Sequence, residues 1–291
     1  MSKDRIELPF KYVDVIASPL TSGTTISWQL NPRYTFADPA LDFYVEFAYS
    51  GGEWERLNPS APETDLNYVD LDKRRYNYRL SASYRVVAND GVEEHISTPT
   101  TLNGIWNTHD YLIARDIIRK LYLKFTKYGA TAGYLMKRRM VGPKCGCIDH
   151  DAGEPTTPSC PDCYGTNLET GYYNAVPYYI EMGQIPHDIN DASKEDVKLE
   201  NPVRAGMGIA YPRVDSLDVW VEAQTNQRYI IRKATPKHEV RGKALTYILE
   251  LRPVSGAAHL QDLPPEQTSP DGKTQEGWQT GMSNQTSPNR R

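Results

Sequence analysis

All four cysteines of this 291-residue chain fall within one stretch, KCGCIDHDAGEPTTPSCPDCYGT, as Cys145, Cys147, Cys160 and Cys163. The pattern is C-x-C, twelve residues, then C-x-x-C. Two close pairs joined by a loop can bring four thiolates onto one tetrahedral Zn²⁺, and four sulfurs leave no open position for a reacting water. The site therefore reads as structural. Between Lys144 and Tyr173 the sequence holds little apolar material to form a core. A metal would supply the missing folding free energy, on the order of 10 kcal/mol in small zinc modules. Other uses of these residues stay open at this level: two disulfides, Asp149 or His150 as a substitute ligand, or a redox dithiol at Cys160-Pro-Asp-Cys163. A redox cysteine is activated at a helix N-terminus, and Tyr164-Gly165-Thr166-Asn167 does not read as a helix start.

The first hundred residues carry period-two patterns. Ile26, Trp28 and Leu30 alternate with polar neighbours, as do Phe43, Val45 and Phe47. A third run holds Tyr78 and Leu80, then Tyr84, Val86 and Ala88, before a turn at Asn89-Asp90-Gly91. Such short strands predict an antiparallel sandwich over residues 1–101. The 21 prolines and 20 glycines likewise favour strands and turns over a helical bundle.

From Thr108 the period becomes helical, with Asp110 in the first turn and Ile113, Ile117, Leu121 and Phe125 near one face. A second short helix is expected from Ala130 to Met140, so residues 102–187 read as a helical segment carrying the zinc clasp. DVWVEAQTNQRYIIR then reads as a hairpin, with Val219 and Val221 facing Tyr229 and Ile231. ALTYILELRPV adds a further strand, and five strands between residues 175 and 254 predict a small barrel or sandwich, assigned to 188–263. The fold class is thus mostly β with a helical middle. Residues 264–291 are too polar to fold alone. They read as an extended arm ordered by a neighbouring subunit, with Trp278 and Met282 as anchors.

Residues 115–144 are strongly basic. Arg115, Arg119, Lys120, Lys124, Lys127, Lys137, Arg138, Arg139 and Lys144 stand against Asp116 alone. Beside a zinc knuckle, this is a nucleic-acid signature. The net charge of −4 and pI near 5.9 argue against non-specific nucleic-acid binding by the whole molecule, and a contact with an acidic protein partner fits the balance better. Twenty tyrosines against five phenylalanines suit half-wet interfaces. The opening MSKDRIELPF has no apolar signal region, no run of about 18 apolar residues occurs, and so few cysteines suit a reducing cytosol. No G-x-S-x-G, H-E-x-x-H, Walker loop or G-x-G-x-x-G is present and the six histidines are scattered, so the chain reads as a non-enzyme.

Three resemblances add expectations. The Trp28 strand followed by YRVVANDG looks like a fibronectin type III-like module over residues 8–101, which implies a seven-stranded sandwich packing Trp28 against Tyr84. CPDCYGT resembles one zinc-knuckle repeat of the DnaJ-type chaperones, although Asn167 stands where that signature has its last glycine. The order RDIIRKLYLKFTKYGATAGYLMKRR, KCGC, SCPDCYGTNLETGYYNAVPYYIE, DVWVEAQTNQRYIIR and GKALTYILELRPV is similar to virion proteins of contractile-tailed bacteriophages. The barrel pattern also looks like head-closure proteins. These likenesses imply a non-enzymatic virion component assembled in the bacterial host cytoplasm. They point to a neck or head-to-tail connector that forms a homo-oligomeric ring and touches portal, adaptor, terminator or tail rings. A baseplate component is the second reading, and a zinc-containing nucleic-acid-binding protein is the alternative from another class.

Overall fold

The structure is a computed structural model, and it describes residues 8–17, 24–49, 52–60, 65–70, 72, 82–101, 108–148, 160–183, 204–254 and 260. The expectations for Tyr78, Leu80, Asp149, His150, Trp278, Met282 and the arm 264–291 lie outside these residues.

The alternating runs near the N-terminus form strands, named here β1 (Phe10–Ala17), β2 (Thr24–Leu30), β3 (Asp42–Tyr49), β4 (Glu55–Arg56), β5 (Asn67–Asp70), β6 (Ala82–Asn89), β7 (Glu94–Ile96) and β8 (Thr100–Thr101). They make two sheets. One has the order β1-β2-β5, and the other runs β4-β3-β6-β7 with β8 also paired to β6. Ile26, Trp28, Phe43, Val45, Tyr84 and Val86 point inward and are fully or almost fully buried in one shared core. The Trp28 ring packs on Phe43, centroids 5.4 Å apart, and Tyr84 packs on Phe47 at 5.2 Å.

The one helix among the described residues, α1 (Thr108–Tyr128), has Asp110 in its first turn and Lys127 in its last, each suited to the helix dipole. Its buried face is Tyr111, Ala114, Ile118 and Phe125, whereas Ile113 is 41% exposed. The expected face was rotated, because an unbroken i, i+4 row drifts around a helix that turns every 3.6 residues. Gly129, at φ +142°, ends α1, and the Ala130 amide closes the last turn onto the Phe125 carbonyl.

No second helix follows. Thr131–Met136 is a strand, β9, that pairs with both β10 (Val176–Gly183) and β12 (Val219–Glu222). With β11 (Arg204–Ile209), β13 (Arg228–Val240) and β14 (Lys243–Pro253) these form a closed barrel of order β10-β11-β14-β13-β12-β9. The expected helix at Ala130–Met140 fails because Leu135 and Met136 are both buried, on opposite faces of β9. The barrel also takes β9 and β10 from the stretch assigned to a helical middle, so it begins well before residue 188.

Inside the barrel lie Leu135, Tyr178, Ile180, Trp220, Tyr229, Ile231, Leu249 and Leu251. Val219 and Val221 face the other way, into a second cluster with Met136, Tyr172, Ala175 and Val254. The hairpin register is therefore Trp220 opposite Tyr229 and Val219 opposite Ile230, one residue off the expected pairing. A one-residue slip exchanges faces, and with both faces buried, hydrophobicity alone could not choose between registers. Gly206 and Gly208 on β11 leave room for the Ile180 and Tyr178 side chains, which fill the lumen.

The sandwich and barrel are joined. Arg213 lies over the Tyr12 ring at 4.5 Å, Lys243 pairs with Asp14 at 3.5 Å, and Asp65 accepts hydrogen bonds from the Asn174 backbone and side chain at 3.2 and 2.7 Å. The deepest tie is Lys137, only 6% exposed just after β9. Its Nζ donates to the Arg213 carbonyl at 2.6 Å, Asp215 Oδ2 at 3.1 Å and Asp218 Oδ2 at 3.2 Å. Tyr12, from β1, donates its hydroxyl to the same Asp215 oxygen at 3.2 Å.

Candidate metal centre

The clasp interrupts a hairpin. β9 and β10 pair antiparallel, and their extensions stay in register through isolated bridges at Arg138–Tyr172 and Lys144–Leu168. Backbone bonds continue the ladder: Tyr173 N to Lys137 O, Arg139 N to Gly171 O, Glu169 N to Pro143 O, and Cys145 N to Asn167 O, all between 2.9 and 3.1 Å. The chain thus climbs from the barrel to the first cysteine pair and descends from the second. A tight turn holds the second pair, with Tyr164 N bonded to Cys160 O and Thr166 N to Cys163 O. Gly171, at φ +57°, passes so close to the Cys163 carbonyl that a β-carbon there would collide with it.

This path brings all four sulfurs within 4.8 Å of one another. Cys145 and Cys160 lie 3.8 Å apart and Cys147 and Cys163 3.6 Å, and all four thiols are free. A disulfide needs an S–S distance of about 2.05 Å. By contrast, a tetrahedron with sulfur about 2.3 Å from its centre has edges of about 3.8 Å. The spacing fits four thiolates around one metal ion. Cys145, Cys160 and Cys163 are buried and Cys147 is half-buried, so the donors face inward together.

The local field separates the thiols. Amides of Cys163 and Asp162 donate to Cys160 and hold its pKa down to about 7. Burial pushes Cys147 well above the ordinary thiol value, and the neighbouring thiols push the same way. At Cys145 the Cys147 amide favours the thiolate, but burial, Cys160 and Cys163 raise the pKa overall. Crowded thiols that resist ionisation together are relieved by a cation among them, so metal binding and deprotonation are coupled here.

The other sequence candidates separate by position. Arg119, Lys120, Lys124 and Lys127 are exposed on α1. Lys120 pairs with Asp116 at 2.7 Å and Lys124 with Glu181 at 2.8 Å. Arg115 is half-buried on the same helix, while Arg138 and Arg139 belong to the stem of the clasp, where Arg139 lies over the Tyr173 ring at 4.3 Å. Lys137, counted in the same basic run, is the buried tie described above. Its partners, 76 to 81 residues away, leave no local signal that could have announced it. Compared with protein-family models and with curated proteins, the chain matches none. No helix among the described residues is long and apolar enough to cross a membrane.

Proposed function

We propose that this protein is a non-enzymatic structural component of a phage virion, a neck or head-to-tail connector protein that assembles in a symmetric ring. The observation that carries the reading is the filled barrel. Tyr178, Ile180 and Trp220 occupy its lumen against glycines that leave them space, and the clasp turns its sulfurs toward one another. Both inward-facing regions are spent on the protein's own structure, which leaves its outer surfaces for work. The resemblance of the α1, clasp and barrel segments to contractile-tail virion proteins supplies the context.

In this reading the two N-terminal sheets are a fibronectin type III-like module that projects outward, and the order β1-β2-β5 against β4-β3-β6-β7 suits it. The ion in the clasp is Zn²⁺, which suits four soft thiolate donors in a closed tetrahedral shell. It acts as a structural brace on the β9–β10 excursion. The exposed side of α1 meets neighbouring virion proteins. Recovery of the chain in purified particles at a fixed ring stoichiometry tests this directly, and its absence from particles overturns it. The basic side of α1 also favours a second reading, a zinc-containing nucleic-acid-binding protein. A salt-sensitive mobility shift of bare DNA would support that class instead.

A further inference from the structure

The cluster around Lys137 holds more than an ion pair needs. Nζ lies 3.2 Å from Asp218 Oδ2, with the amine only 6% and the aspartate only 1% exposed. Asp218 Oδ1 accepts the Arg138 amide at 2.9 Å, and Oδ2 accepts the Asp215 amide at 2.8 Å. A second carboxylate, Asp215, touches the same Nζ at 3.1 Å and is itself held by the Tyr12 hydroxyl. These are the parts of an acyl-transfer site: a nucleophile, a carbonyl carbon flanked by amide donors, and a neighbouring proton carrier.

We propose that Lys137 and Asp218 join spontaneously in an intramolecular isopeptide bond, with Asp215 carrying the protons. Asp215 carries one proton from Nζ to Asp218 Oδ2, which leaves a neutral amine and a neutral carboxylic acid. The amine lone pair then forms a bond to Asp218 Cγ. The carbonyl electrons move onto Oδ1, facing the Arg138 amide. As the tetrahedral adduct collapses, the Cγ–Oδ2 bond breaks and Oδ2 leaves as water with protons relayed from nitrogen. An ammonium and a carboxylate become one secondary amide and one water, and nothing is oxidised or reduced.

The two carboxylates are divided as this chemistry requires. Burial raises the Asp218 pKa, favouring the protonated electrophile, although Lys137 opposes it. Burial also works to raise Asp215, but Lys137 and Lys11 outweigh it and keep that group ionised. Environments that drive paired groups apart assign acid and base. For Lys137, burial favours the neutral amine, but Asp218, Tyr12 and Asp215 hold the ammonium. The salt bridge is therefore the resting state from which the bond forms, and exclusion of water protects the amide once made.

The test is the intact mass of the folded, purified full chain after denaturation. The expected mass is lower than the sequence mass by one water. Digestion should yield a branched peptide joining the Lys137 and Asp218 segments. A succinimide at Asp215-Ser216 would also lose a water, so Lys137→Arg is the control: it should restore the full mass and abolish the branched peptide. Asp215→Ala should accumulate unlinked chain. A folded wild-type chain at its full sequence mass, or a water loss that persists in Lys137→Arg, overturns the proposal.

Discussion

Tyr178 occupies the space that a side chain at position 208 would need, and its hydroxyl donates to the Ile209 carbonyl at 2.5 Å. A β-carbon added at Gly208 meets the tyrosine ring, which is buried inside the barrel, and the Trp220 indole N–H holds the Tyr178 backbone by donating to its carbonyl at 3.0 Å. Gly208→Ala should therefore destabilise the fold by about 1–3 kcal/mol, as overpacking does in rigid cores. Tyr178→Phe removes only the hydroxyl and should cost about 1 kcal/mol. Urea midpoints at constant slope would measure both. A Gly208→Ala protein as stable as the parent would mean that the lumen is not packed as described.

The same glycine logic explains what could be read in the sequence. Alternation of apolar and polar residues marked Ile26, Trp28, Leu30, Phe43, Val45 and Phe47 directly, and all of them are buried. Helix α1 was legible from its period and charged ends, although not its rotation. β9 was not legible. Gly133 falls inside the helix expected over Ala130–Met140, whereas it makes room for the Trp220 indole across the ladder. Buried on both faces, β9 also shows no alternation to find. In the clasp, the spacing brought the four cysteines together on paper, and the structure places their sulfurs together. The Lys137 cluster was invisible because Tyr12, Asp215 and Asp218 are drawn to it only by the closure of the barrel and the docking of β1.

Asp90 makes the sandwich sensitive to acid. Its carboxylate bonds His95 at 3.0 Å and accepts amides of Glu93, Ala37 and Val92 at 2.7, 2.9 and 3.0 Å. His95, then the Glu93 amide, hold its pKa well below the ordinary carboxylate value. A carboxyl whose folded pKa is depressed contributes stability above its unfolded value, near 4, and loses it as pH falls toward the folded one. Denaturation midpoints should drop as pH falls below about 4, and less steeply in Asp90→Asn. Parallel curves for the two proteins would remove Asp90 as the cause.

Stripping the metal should loosen the clasp without melting the barrel. The barrel has its own core, whereas residues 139–148 and 160–171 cross-link mainly through backbone bonds and the four sulfurs. After chelation, or in Cys163→Ser, amides of Arg139, Cys145 and Glu169 should exchange faster while those of Leu135 and Ile180 stay protected. Acid should have the same effect, because the ligands must be thiolates. Cys145 and Cys147 already hold protons at neutrality without the metal. Cys160, held down to about 7, joins them below it, so metal retention should fall with pH and most steeply below neutrality. Metal content below about half an equivalent per chain at neutral pH would sink the four-thiolate site. Uniform exchange across clasp and barrel would show that the metal holds the whole fold.

The exposed side of α1 offers a separation between folding and assembly. Arg119, Lys120, Lys124 and Lys127 share it with Ile113 and Leu123, which are 41% and 47% exposed. Among the described residues no ion pair engages Arg119 or Lys127, so reversing their charge costs the monomer little beyond the interaction of Lys127 with the helix dipole. Arg119→Glu with Lys127→Glu should lower folding stability by about 1 kcal/mol or less. The proposed virion role predicts that the same change reduces incorporation into particles, because like charges would then face the acidic partner that role assigns to this side. Salt dependence distinguishes the mechanism: a contact steered by these charges weakens as ionic strength rises, and the double variant should lose most of that dependence. Normal incorporation of the double variant would move the partner-facing surface away from this helix.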